Sequence, residues 1–102
     1  MKRKIRKVSF RIRRIYFDQI VSGEKTSEIR KFTEFWRKRL LIYHPEVAVF
    51  VCGKDIHQRE ITGFRVGRPE ELLGRELSEQ GKKDVPTERA IATLLGEIYT
   101  GD

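Results

Sequence analysis

At 102 residues the chain has room for one domain, residues 1–102, with a small core. Apolar residues make up 38% and charged residues 36% of it, and no apolar run approaches the ~18 residues that a membrane span needs. The formal net charge of +7 is unevenly placed: residues 1–41 hold 14 Lys/Arg against 4 Asp/Glu, whereas residues 42–102 hold 8 against 11. A basic half attracts polyanions and releases their counterions on binding, so a polyanion is the expected partner, and a membrane is not expected.

Cys52 is the single cysteine, which excludes an internal disulfide. Cys52, His44 and His57 lack the spacing of zinc ligands, so neither a metal nor a cofactor is expected. The basic N-terminus is not followed by the apolar stretch of a signal peptide, and the expected compartment is the cytoplasm.

Residues 1–7 read as a flexible basic arm. Val8, Phe10 and Ile12 then alternate with Ser9, Arg11 and Arg13, which predicts a strand with one buried and one basic face. Tyr16, Phe17, Ile20 and Val21 at helical spacing predict a helix over 14–22, with Gly23 as its left-handed cap. A second strand is expected over 25–31. Residues 32–38, F-T-E-F-W-R-K, read as an aromatic and basic connection. Its rings suit a local cluster, with Trp36 the one to offer as a stacking platform beside Arg37, Lys38 and Arg39.

The apolar run 40–43 predicts a third strand, stopped by Pro45. Val47 to Cys52 predicts a fourth, a hairpin turn follows at 53–55, and Ile61 to Val66 predicts a fifth. Cys52 reads as an inert core thiol and His44 as a loop residue. Pro69-Glu70-Glu71 opens a helix, residues 76–84 read as a loop, and Asp84 with Pro86 caps a last helix over 85–97. In that helix Ile91, Leu94, Leu95 and Ile98 follow the i, i+3, i+4, i+7 pattern. The order β-α-β-β-β-β-α-α predicts an α+β fold: a small β-barrel or strongly curved mixed sheet with two or three short helices.

The densest group of functional side chains is G-E-K-T-S-E-I-R, residues 23–30. Alternation puts Thr26, Glu28 and Arg30 on one face of the strand, with Glu28 and Arg30 close enough to pair, and Lys25 at its mouth. As a binding site, Lys25 and Arg30 would meet phosphate or a base edge and Glu28 a base amino group, with Thr26, Arg11, Arg13, Trp36, Arg37 and Lys38 around them. As a hydrolytic site, Lys25 would act as base and Glu28 would position water. The remaining reading is a non-catalytic adaptor in which the pair is only a salt bridge.

The block Y-F-D-Q-I-V-S-G-E-K-T-S-E-I-R, residues 16–30, resembles the ASCH family of the PUA-like β-barrel superfamily. Residues 39–45 (R-L-L-I-Y-H-P), the strand at Gly63-Phe64-Arg65-Val66 and the terminal A-T-L-L-G-E-I-Y, residues 92–99, resemble later parts of that family. The resemblance implies RNA or nucleotide binding in a barrel cleft. It also implies a link to a subgroup that hydrolyses the amide of N4-acetylcytidine through a Lys, a Thr and an acid, and to members proposed as ribonucleases. That lysine falls on Lys25. The threonine position is Glu28, and the acid falls near Glu79 or Asp84. Such domains usually close with a strand after the tyrosine, and the sequence ends at Asp102 without one.

Overall fold

The computed structural model describes residues 4–68, 71–72 and 89–101. They form a five-stranded mixed sheet, curved into a half-barrel, with two short helices. The strands are β1 (Lys7–Arg11), β2 (Ser27–Lys31), β3 (Val47–Cys52), β4 (Asp55–Gly67) and β5 (Ala90–Ile98). Their order across the sheet is β1-β3-β4-β5-β2. β1 runs parallel to β3, and every other pair is antiparallel. The first and second strands of the chain are therefore the two edges, and a seam separates them.

Helix α1 (Arg14–Ser22) fills the bend between β1 and β2 and buries Phe17 and Ile20. It ends as its sequence requires. Gly23 takes φ 86°, a left-handed conformation open to glycine at little cost, and its N–H donates to the Ile20 carbonyl. The main core joins Val8 and Phe10 of β1, Ala48 and Phe50 of β3, and Ile91 and Leu95 of β5 to Phe17, Ile20 and Leu40. Burying each large side chain of this set stabilises the fold by about 1.5–3 kcal/mol. A smaller cluster of Ile29, Ala90 and Ala92 lies on the other face of β2 and β5.

Several sequence expectations change here. The basic arm is shorter than 1–7. Lys7 opens β1, and the Arg6 guanidinium donates to the Tyr43 and His44 carbonyls. The run 40–43 is not a strand. Thr33 caps a short helix α2 (Glu34–Trp36) by accepting from the Trp36 N–H, and the chain continues as π-helix over Arg37–Ile42. Only Leu40 of that turn is fully buried, so a helical seat for one side chain prevails over strand propensity.

The third change is the largest. Residues 90–98 form strand β5, not a helix. Ala90, Ile91, Ala92 and Thr93 are all buried, because β5 lies between β4 and β2 and is covered on both faces. A doubly buried strand has no polar alternation to display, and its apolar run imitates a helical period. Strand β4 is also longer than its apolar part, running from Asp55 after a turn at Gly53-Lys54 and bulging near Ile61. The helix expected from Pro69 is represented by Glu71 and Leu72, with Leu72 donating its N–H to the Arg68 carbonyl. The loop 76–84, and with it Glu79 and Asp84, lies outside the described residues, as does the start of the segment at 85.

A buried charge cluster as the candidate functional site

The short G-E-K-T turn after α1 aims Lys25 back at β2. The Lys25 N–H donates to the Gln19 carbonyl at 2.9 Å, which fixes its backbone against the end of α1. Its Nζ lies 5.6 Å from the Tyr16 ring centroid and donates to the Ser27 carbonyl (2.8 Å) and to Glu28 Oε1 (2.7 Å). Glu28 is 6% exposed. It is the register partner of Thr93 on β5, and directly opposed residues of an antiparallel pair share a face. That face is the main-core side, which also carries Ile91 and Leu95.

Arg30 takes the other oxygen of Glu28, with Nε and Nη2 at 2.9 and 2.8 Å from Oε2. Nη2 also donates to the Arg11 carbonyl at 3.3 Å, so this one side chain crosses the seam from β2 to β1. Its guanidinium lies 5.2 Å from the Phe10 ring centroid and 5.1 Å from that of Trp36. Trp36 in turn stacks on Phe10 with centroids 5.3 Å apart. The result is a carboxylate held between two cations, with one net positive charge and an aromatic floor. A buried carboxylate is tolerable only when paired and hydrogen-bonded in this way.

Lys25, Glu28, Arg30 and Trp36, all singled out from sequence, are therefore brought together. The other candidates are not. Thr26 is exposed, and its carbonyl accepts from Leu95 N–H. Arg11 supplies only its carbonyl to the cluster, while its side chain is exposed. Arg13 is the exposed residue preceding α1, where its carbonyl receives the Tyr16 and Phe17 N–H groups. Arg37 grips both carboxylate oxygens of Glu34, and Lys38 lies exposed 4.0 Å from the same residue. The expectation for Trp36 also needs correcting in part: one face of its ring is spent on Phe10.

Sequence reasoning missed Thr93. It is fully buried, and among the described residues its Oγ1 finds no hydrogen-bond partner. Its one sequence signal was a hydroxyl in an otherwise apolar run, and reading that run as a helix hid its place opposite Glu28. His57, half-buried on β4, likewise has an unpartnered Nε2. Burial, with Arg59 adding to it, pushes its pKa below the usual imidazole value. His44 is exposed at the end of the π-helical segment, with φ 53°. Cys52 is half-buried. Among the described residues no group of His, Cys, Asp and Glu could hold a metal ion, and no helix is long and apolar enough to cross a membrane.

No protein-family model matches the chain, nor does any curated protein. Among solved structures it is similar to ZmASCH from Zymomonas mobilis, crystallised as a serine-to-alanine mutant. The two share 22% identity at a TM-score of 0.64, over 90% of this chain and 68% of that one.

Proposed function

The chain has an ASCH-like fold, and on that premise we propose that it binds RNA or a nucleotide at the seam of the half-barrel, above Lys25, Glu28 and Arg30. The observation that carries this reading is the Arg30 side chain. It is 25% exposed, locked in orientation by Glu28, and backed by the rings of Phe10 and Trp36. A guanidinium fixed before binding loses little entropy on meeting a phosphate or base edge, and its planar fork suits both. The cluster's net positive charge favours an anion. The exposed side chains of Arg11 and Arg13 supply further phosphate contacts.

Titration of single-stranded RNA at rising salt tests this. Affinity is expected to fall log-linearly with salt, at about 0.7 in slope for each phosphate contacted. Arg30→Gln is expected to weaken binding roughly tenfold, as loss of a charge-assisted hydrogen bond does. Absent or salt-independent binding ends the proposal. A Glu28→Gln protein that is less stable yet binds RNA normally would reduce the cluster to the scaffold of an adaptor domain.

A hydrolytic reading, on modified nucleosides or on RNA, has one observation behind it: the unpartnered Thr93 hydroxyl opposite Glu28, which in turn pairs with Lys25. Binding has the stronger support, because both Glu28 oxygens are engaged by cations and Thr93 is sealed from solvent. Turnover of acetylated cytidine or RNA that is lost in Lys25→Ala would favour hydrolysis. An inert wild-type protein would exclude it for those substrates.

A further inference from the structure

An open groove of about 470 Å³ lies between β1 and the helical segment that follows β2, lined by Lys7, Val8, Phe35, Lys38, Arg39 and Tyr43. We propose that this groove is a second contact surface for single-stranded nucleic acid, so that the ligand spans several nucleotides and is not a mononucleotide. The inference extends the binding reading above and rests on it for the identity of the ligand class.

Three observations point this way. Among the described residues the lining carries three cations and no acid. Lys7 is already committed, donating to Gln58 Oε1 and lying over the Tyr99 ring, so Lys38 and Arg39 are the phosphate contacts. Glu34, 4.0 Å from Lys38, is gripped through both oxygens by Arg37. Second, the groove exposes rings that a core would hide: Phe35 is 55% and Tyr43 47% exposed. The Arg39 guanidinium lies 4.2 Å from the Phe35 centroid and steadies that ring. Exposed rings interleaved with cations bind unpaired bases by stacking and the backbone by charge, whereas a duplex keeps its base faces covered.

The third observation is continuity. Phe35 meets Trp36 edge to face at 5.1 Å, Trp36 stacks on Phe10, and Arg30 lies over both of the latter rings. An unbroken run of rings and guanidinium groups therefore leads from Arg39 in the groove to Arg30 at the seam. A strand laid along it would meet both places at once.

The test compares an oligouridine strand of about eight nucleotides, within the usual site size of single-strand binders, with its DNA counterpart, a duplex and uridine monophosphate. Trp36, the only tryptophan, reports binding by fluorescence. In the triple variant Phe35→Ala, Lys38→Gln, Arg39→Gln, the strand is expected to bind about tenfold or more weaker through the lost stacking. The salt slope should shrink by roughly 1.4 for two phosphates. Monophosphate binding should stay as in the wild type, and the circular dichroism spectrum should be unchanged.

Loss on RNA alone or on RNA and DNA alike both support the groove, and the difference tells whether the 2′-hydroxyl is read. Wild-type affinity of the variant for the strand overturns the proposal, as does preference for the duplex. Equal retention by anionic vesicles, lost in the same variant, overturns it in favour of a membrane surface. The two readings separate cleanly. If Arg30→Gln leaves strand binding intact while the groove variant loses it, the seam reading fails and the groove stands. The converse result leaves the seam alone, and a wild type that binds no strand ends both.

Discussion

Lys25 and Glu28 form an ion pair three residues apart along the chain, and so do Glu34 and Arg37. The spacing and chemistry match, but the surroundings differ. The Glu28 side chain is 7% exposed and held from two sides; that of Glu34 is 63% exposed on the surface of a short helix. Hydrogen bonding from Arg37 holds the Glu34 carboxyl below its usual pKa, yet solvent screens most of what that pairing contributes. Glu28 has no water to fall back on. Its worth lies less in the bond made than in the cost of leaving two cations and a core position unpaired. Sequence spacing establishes that two charges can meet, and burial decides whether their meeting matters.

The contrast can be broken most directly at Glu28. Glu28→Gln is expected to lower unfolding stability by about 3 kcal/mol, read from urea denaturation. The matching change Glu34→Gln should leave the midpoint indistinguishable from wild type, and equal losses at the two sites would refute the contrast. Thr93→Val replaces an unpartnered buried hydroxyl with a methyl of the same shape. It should be neutral or stabilise by up to ~1 kcal/mol, because no hydrogen bond is lost. A clear loss of stability would show that the hydroxyl is satisfied in solution.

His57 offers a smaller effect of defined sign. Its folded pKa lies below the unfolded value, so the unfolded chain binds more protons in the interval between them. Stability should be complete above the ordinary imidazole pKa of about 6.5 and fall as pH drops through the folded value. In His57→Phe that part of the acid loss should vanish, whereas the carboxylate-dependent part at lower pH should remain. A profile unchanged by the substitution would assign the whole slope to carboxylates.

Much of this arrangement could be read in the sequence where one face was polar. The alternation of Val8 and Phe10 located β1, and Tyr16 to Gly23 gave α1 to the residue. The pairing of Glu28 with Arg30 followed from strand geometry alone. What stayed hidden was whatever tertiary contacts decide. Ala90 to Thr93 are buried on both faces, so their pattern carried no strand alternation and Thr93 was lost with it. The run 40–43 was apolar enough for a strand but continues the turn begun at Thr33, which seats Leu40 in the core. Trp36 drew attention as the largest ring of its segment, yet the more exposed ring is its neighbour Phe35.

The place of β5 in the sheet has a consequence for how the molecule is made. It is the last of the described strands, yet it stands between β4 and β2. Ser27 through Lys31 have no other strand to pair with among the described residues, and their partners are Leu94 back to Ala90. Synthesis runs from the N-terminus, so β1, β3 and β4 can assemble while β2, made second, waits for residues 90–98. Until they emerge, Glu28 has its two cations but no wall opposite it. A chain stopped before Ala90 should therefore keep the β3–β4 hairpin and α1 but leave β2, and the site on it, open to protease.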